Sequence, residues 1–92
     1  MANKGMDTDI ARSVHTQLGG LHTQLTTLIN NIGTQVSTVH GVWHGTDSTQ
    51  FESEWSSVHR PALTNAANAL EQFARTLMSN ITNQETTSST LH

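Results

Sequence analysis

The chain contains no cysteine, no tyrosine and only one proline, and four of its 92 residues are basic. Without cysteine there is neither a disulfide frame nor a thiolate metal site, and the redox compartment stays open. Lys4, Arg12, Arg60 and Arg75 stand against seven acidic residues, for a net charge of −3. That leaves no basic stripe to follow a phosphate backbone, so nucleic acid is not an expected partner. Long hydrophobic runs are also missing. Met1 to Asp9 has no apolar segment, so neither a cleavable signal peptide nor a stable membrane insertion is expected. An exported form would need another route. A glycine-rich phosphate loop is lacking, Glu52 and Glu54 point to different sides of a helix, and the serines have no base or oxyanion element beside them in sequence. The expectation is a protein that is not an enzyme and has no cofactor.

Serine and threonine are what the chain has instead, 24 of them, many at positions where Lys and Glu would be usual. Each costs about 0.5 kcal/mol relative to Ala inside a helix, so helices built from this composition depend on packing against each other or against a partner. The helices themselves are plain in the pattern. From Ile10 the apolar positions run Val14, Leu18, Leu21, Leu25, Leu28, Ile32, Val36 and Val39, in steps of three and four, which is one continuous helical stripe. Asp7 and Asp9 supply an N-cap candidate and negative charge at the favoured end. Helix 1 is therefore predicted over about 8–40. Gly19 and Gly20 lie within it without breaking the phase of the stripe, as a close approach or a slight bend.

Gly41 ends the stripe and Gly45 lies four residues on, which places a reversal at about 41–46. Thr46, Asp47 and Ser48 are all capable N-caps, and Asp47 with Gln50 resembles a capping box. Helix 2, at about 47–83, carries Phe51, Trp55, Val58, Ala62, Ala66, Leu70, Phe73, Leu77 and Ile81, with further alanines that admit a neighbouring helix. Pro61 interrupts it and predicts a kink near Ser57. Residues 86–92 lack periodicity and read as a disordered tail after a helical hairpin spanning 1–85. The expected fold is all-α, an antiparallel helix-turn-helix hairpin. Such a hairpin, about 50 Å long at 1.5 Å per residue, has one apolar stripe per helix and no third layer over its flanks. Pairing two hairpins into a four-helix bundle dimer covers them. Leu18, Leu21, Leu25, Leu28, Ile32, Leu70, Phe73 and Leu77 are the expected hairpin and dimer core.

Trp43-His44-Gly45 at the reversal is unusual, because turns mostly carry small polar residues. With Phe51 six residues after the glycine and Trp55 ten after it, the chain resembles the Trp-x-Gly (WXG) family of early secreted antigen-like proteins, about one hundred residues long, over nearly its whole length from Ile10 to Glu85. The resemblance implies a non-enzymatic substrate or adaptor of type VII (ESX) secretion, exported to the medium or cell surface without a cleavable signal peptide. It also implies pairing with itself or a related WXG-type chain, and recognition by a membrane-associated secretion ATPase. In that family the turn lies near a C-terminal export signal of the partner, Tyr-x-x-x-Asp or Tyr-x-x-x-Glu. This chain has no tyrosine, and its nearest fit is Ile81 with Glu85. Either Ile81 substitutes as an apolar contact or the partner supplies the signal.

Blander readings stand beside these. Trp43 is a plug at the end of the bundle, alone or together with a role as recognition surface. Gly45 serves backbone geometry, either a positive φ or room for the indole. Phe51 and Trp55 are core packing next to the motif. Six histidines raise a metal site, but His40 and His44 do not share one helix and His15 and His22 are seven residues apart, so no metal is expected. Two other functions compete with secretion substrate. One is a helical chaperone for a larger secreted effector. The other is a membrane-active protein whose helices open onto a bilayer, against which the scarcity of lysine argues.

Overall fold

The computed structural model describes residues 6–90, all-helical apart from the ends and one turn, with no strand among the described residues. Helix α1 spans Thr8–Val42, α2 spans Thr46–Glu54, a π-helical turn spans Trp55–His59, and α3 spans Arg60–Thr90. The arrangement is that of an α-hairpin reversing at residues 43–45. The chain divides into two compact units, Met1–His22 with Ala69–His92, and Thr23–Asn68. We refer to them as the terminal unit and the turn unit.

Asp7 starts α1: its Oδ1 accepts hydrogen bonds from the backbone N–H groups of Asp9 and Ile10, each at 3.1 Å. This is the N-cap expected from the sequence. The helix runs unbroken through Gly19 and Gly20. A Cβ built at either would meet nothing within 4 Å, so no neighbour's close approach requires these glycines. Threonine hydroxyls turn inward on the helix itself, with Thr16, Thr34 and Thr38 donating to the carbonyls four residues back at 3.0–3.2 Å. That satisfies their polarity without partners elsewhere.

Helix α3 runs on to Thr90, where the sequence predicts a tail from 86. No glycine or proline follows Pro61 to stop it, and the serines and threonines lower helix propensity without breaking the backbone ladder. Residues 91–92 of that expected tail, and residues 1–5, lie outside the described residues. Where a kink near Ser57 is expected from Pro61, the helix has a π turn over Trp55–His59. There the N–H of Arg60 donates to the carbonyl of Trp55, five residues back. The extra residue per turn opens the space in which the proline ring would meet the preceding carbonyl.

The core is narrower than the sequence stripe, and its phase differs. In the terminal unit Ala11, Ala74 and Ile81 are buried, and His15, Leu18, His22, Leu70, Leu77 and Met78 are half-buried. In the turn unit Ile29, Val36, Ala67 and Ser48 are buried, and Leu25, Ile32, His40, Trp55 and Leu63 are half-buried. Of the residues expected in the hairpin and dimer core, Leu21, Leu28 and Phe73 are exposed in the single chain, as are Ile10, Val14 and Phe51. The apolar stripe of α1 is two side-by-side rows. One, containing Ala11, Leu18, Leu25 and Ile29, turns inward, while Ile10, Val14, Leu21 and Leu28 lie on the other. A two-helix contact covers only a narrow seam. Small residues win part of that seam because they allow close backbones.

Arg12 and Glu85 fasten α1 to α3 in the terminal unit. The guanidinium donates to both carboxylate oxygens, at 2.9 and 2.6 Å. That fork holds the Glu85 carboxyl below its ordinary value, chiefly through the hydrogen bond from Arg12, and raises the Arg12 guanidinium above its own. Glu85 is thus committed to the fold of its unit. Ile81, four residues before it, is fully buried, at 0% exposure.

Candidate functional site

Three residues, Trp43, His44 and Gly45, separate α1 from α2. Gly45 has φ 119° and ψ 179°, a region open essentially to glycine alone. A Cβ there would meet nothing within 4 Å, so the glycine is required by backbone conformation and not by room for the indole. Gly45 occupies the N-cap position of α2 without a side-chain cap, and its carbonyl accepts from the N–H of Thr49 at 3.3 Å. The capping box expected from Asp47 and Gln50 does not form. With glycine at the cap, Thr46, Asp47 and Ser48 all fall inside the first turn, where Asp47 still complements the helix dipole.

Trp43 is 40% exposed and tilts against Phe51, ring centroids 5.7 Å apart with an interplanar angle of 50°. Phe51 itself is 44% exposed, so the two rings form a surface aromatic pair and Phe51 is not a core residue. Trp55 is half-buried, and a Cβ on Gly33 would stand 3.7 Å from its Nε1. The indole thus lies close to the α1 backbone. Beside Phe51 an apolar groove of about 390 Å³ is lined by Leu28, Ile32, Val36 and Val39, with Asn31 and Gln35.

Ser48 is the buried polar residue of the turn unit, at 1% exposure. Its hydroxyl lies 3.0 Å from His40 Nδ1, and His40 Nε2 lies 3.7 Å from Glu52 Oε1. The last turn of α1 is thereby latched to α2. A serine, a histidine and a carboxylate in line are the parts of a hydrolytic triad, but here the serine is enclosed at 1% exposure, which leaves its hydroxyl no access to a substrate. The trio reads as a structural latch that fixes the angle at which the Trp43 turn leaves α1. Sequence reasoning took Ser48 for a cap and missed this contact. The i, i+4 spacing of Ser48 and Glu52 puts both on one face of α2, but nothing in that spacing says that the face meets the end of α1.

A second concavity of about 440 Å³ lies in the same unit, lined on α1 by Ile29, Asn30, Gly33, Thr34, Val36 and Ser37, and opposite them by Glu52, Trp55, Ser56 and Arg60. It is predominantly polar, and the π turn brings Ser56 into its wall. Next to it His59 Nε2 engages Glu54 Oε2 at 2.8 Å. No group of three metal-capable side chains gathers among the described residues, and none of their helices is long and apolar enough to cross a membrane.

The fold and the turn define a class: a small all-α protein that presents an exposed tryptophan on a glycine-fixed helical reversal. No family model, curated relative or solved structure matches the chain.

Proposed function

We propose that the protein is a non-enzymatic substrate or adaptor of type VII (ESX) secretion, which pairs with a second hairpin, its own copy or a related WXG-type chain, and is read by the secretion ATPase through the Trp43 turn. The observation that carries this reading is the Trp43–Phe51 pair: two large rings left at the surface of the turn unit, above a glycine whose backbone geometry holds the turn in place. An aromatic pair on a rigid turn has the properties of a binding anchor, since little conformational freedom is lost when it docks. The exposed row of Ile10, Val14, Leu21 and Leu28 supports the need for a second chain.

The export signal falls to the partner in this reading. Ile81 is fully buried and Glu85 is tied to Arg12, so reading either would require the terminal unit to open. The test is Trp43→Arg in a bacterium with an active type VII system. Export should fall at least about tenfold, the loss expected on removing an aromatic anchor that is buried on docking and worth more than about 1.4 kcal/mol, while helicity and solution mass of the purified variant match the parent. Secretion at the parental level would remove the turn from recognition.

A further inference from the structure

The polar cleft of the turn unit is separate from the Trp43 turn, and its donors outnumber its partners. Arg12 and Arg75 are each engaged by a glutamate, Glu85 and Glu71. Arg60 is different. Its side chain has no hydrogen bond or ion pair among the described residues, although α2 carries two glutamates close in sequence. Histidines take both of those carboxylates instead: His40 faces Glu52 and His59 engages Glu54. The guanidinium is left as an unpaired cation on the wall of a concave site.

Beside it, the indole N–H of Trp55 donates to no group among the described residues, and neither does the hydroxyl of Ser56. Gly33 opposite contributes no side chain, and a Cβ there would come within 3.7 Å of the indole nitrogen, so this wall of the cleft is α1 backbone. The π turn has a part in this. By adding a residue between Trp55 and Arg60 it shifts the arginine around the helix relative to a regular ladder. Pro61, which offers no N–H, leaves a carbonyl one turn back without its helical donor. A planar five-donor fork lining one cleft with an indole N–H and a hydroxyl is a donor set suited to a planar, two-oxygen anion.

We infer that this cleft is a docking site for an acidic side chain on a partner polypeptide, the carboxylate seated on Arg60 with the indole N–H of Trp55, and the flanking small residues lying over Gly33. Its volume suits one side chain with its neighbours. Glu52 at the other end of the cleft, held toward His40, sets polarity: the carboxylate enters at the Arg60 end and is repelled at the other. The inference does not rest on the secretion reading and would hold for any partner carrying such a segment.

The experiment uses the full chain in a Trp43→Phe background, which leaves Trp55 as its single tryptophan. The probe is a blocked alanine-based peptide with one central glutamate, and the control is the same peptide with glutamine. Titration of the glutamate peptide should give a saturable change in Trp55 emission, with the glutamine peptide binding at least about tenfold more weakly, as expected for loss of a charge-assisted pair. Arg60→Gln should weaken the glutamate peptide by a similar factor while circular dichroism is unchanged. Gly33→Leu, which sets a bulky side chain against the indole N–H and keeps Arg60, should also abolish the response. Equal binding of the two peptides, an unaffected Arg60→Gln variant, or no saturable change would each overturn the assignment. So would displacement of the peptide by inorganic phosphate at lower concentration than by free glutamate peptide, which would make the cleft a phosphate site.

Discussion

Gly45 and Gly41 flank the turn and differ in what they do. Neither has a neighbour within 4 Å of a built Cβ, but only Gly45 has a positive φ, so substitution by alanine isolates backbone conformation from packing. Gly45→Ala should destabilise the protein by about 1–3 kcal/mol, the strain of a residue with a Cβ in that region. Gly41→Ala, near the end of α1, should instead be neutral or stabilising by up to about 1 kcal/mol. Urea denaturation at a fixed protein concentration checks both, and equal behaviour of the two variants would show that the turn relaxes to a negative φ. At this scale the sequence was partly legible. Gly45 could be read because an exceptional backbone demand leaves a glycine behind. The His40–Ser48 contact could not, because a serine two residues into a helix looks the same whether it caps the backbone or reaches across a turn. Only the Gly45 geometry, which claims the cap position, decides between them.

Helices were legible in existence and type, and less so in phase. The three-and-four spacing from Ile10 to Val39 fixed α1, yet it could not say which of two adjacent apolar rows would face α3, since both satisfy the same period. Ala11 and Ile29 lie inward while Leu21 and Leu28 lie outward, and since isoleucine and leucine are equal in size and nearly so in hydrophobicity, neither property tells the two rows apart. The π turn has a measurable consequence. Proline in a regular helix interior costs about 3 kcal/mol, but here the turn before Pro61 already relieves the clash. Pro61→Ala should therefore change stability by less than about 1 kcal/mol, with the entropy that proline removes from the unfolded chain partly offsetting any gain. Stabilisation near 3 kcal/mol would mean that the helix bears the clash after all. The Arg12–Glu85 fork gives the terminal unit a pH dependence of definite sign. The Glu85 carboxyl is lowered in the folded state, first through its hydrogen bond from Arg12. Its contribution is accordingly present above the ordinary glutamate range and is lost as pH falls through the folded value. Glu85→Gln should flatten the acid side of a stability–pH profile measured by urea midpoint, with the neutral side lowered toward it. An unchanged acid slope would assign that slope to other carboxylates. Both partners are largely open to water, so added salt should shrink the effect.

At the scale of the whole molecule, the balance of covered and uncovered apolar surface points outside the chain. Ala11, Ala67 and Ala74 are buried while Leu21, Leu28, Phe51 and Phe73, the last at 64%, are exposed. Ile29, Val36 and Ile81 are large groups inside, but each of the four left outside gives up about half of the stabilisation it could supply, about 1.5–3 kcal/mol on full burial. Helices rich in serine and threonine have little intrinsic propensity to make up the difference. In the proposed pairing a second hairpin over the outer row would recover it, and the polar positions on that row, Gln17, Gln24 and Asn31, are uncharged and so would add little to the desolvation cost. Light scattering after size exclusion should then give twice the 10.0 kDa chain mass, with dissociation on dilution accompanied by loss of helicity, because folding and association are linked when the monomer is marginal. Leu28→Asp should shift that equilibrium toward a less helical monomer, by an amount set by burying an unpaired carboxylate in place of an aliphatic group. The same substitution at Thr27, exposed one position along α1, should have little effect. A parent chain that stays monomeric and fully helical across the concentration range would show that the inward seam alone sustains the fold. In that case the outer row would be reserved for a different chain, and co-purification with a separately expressed WXG-type partner would be the measurement that follows.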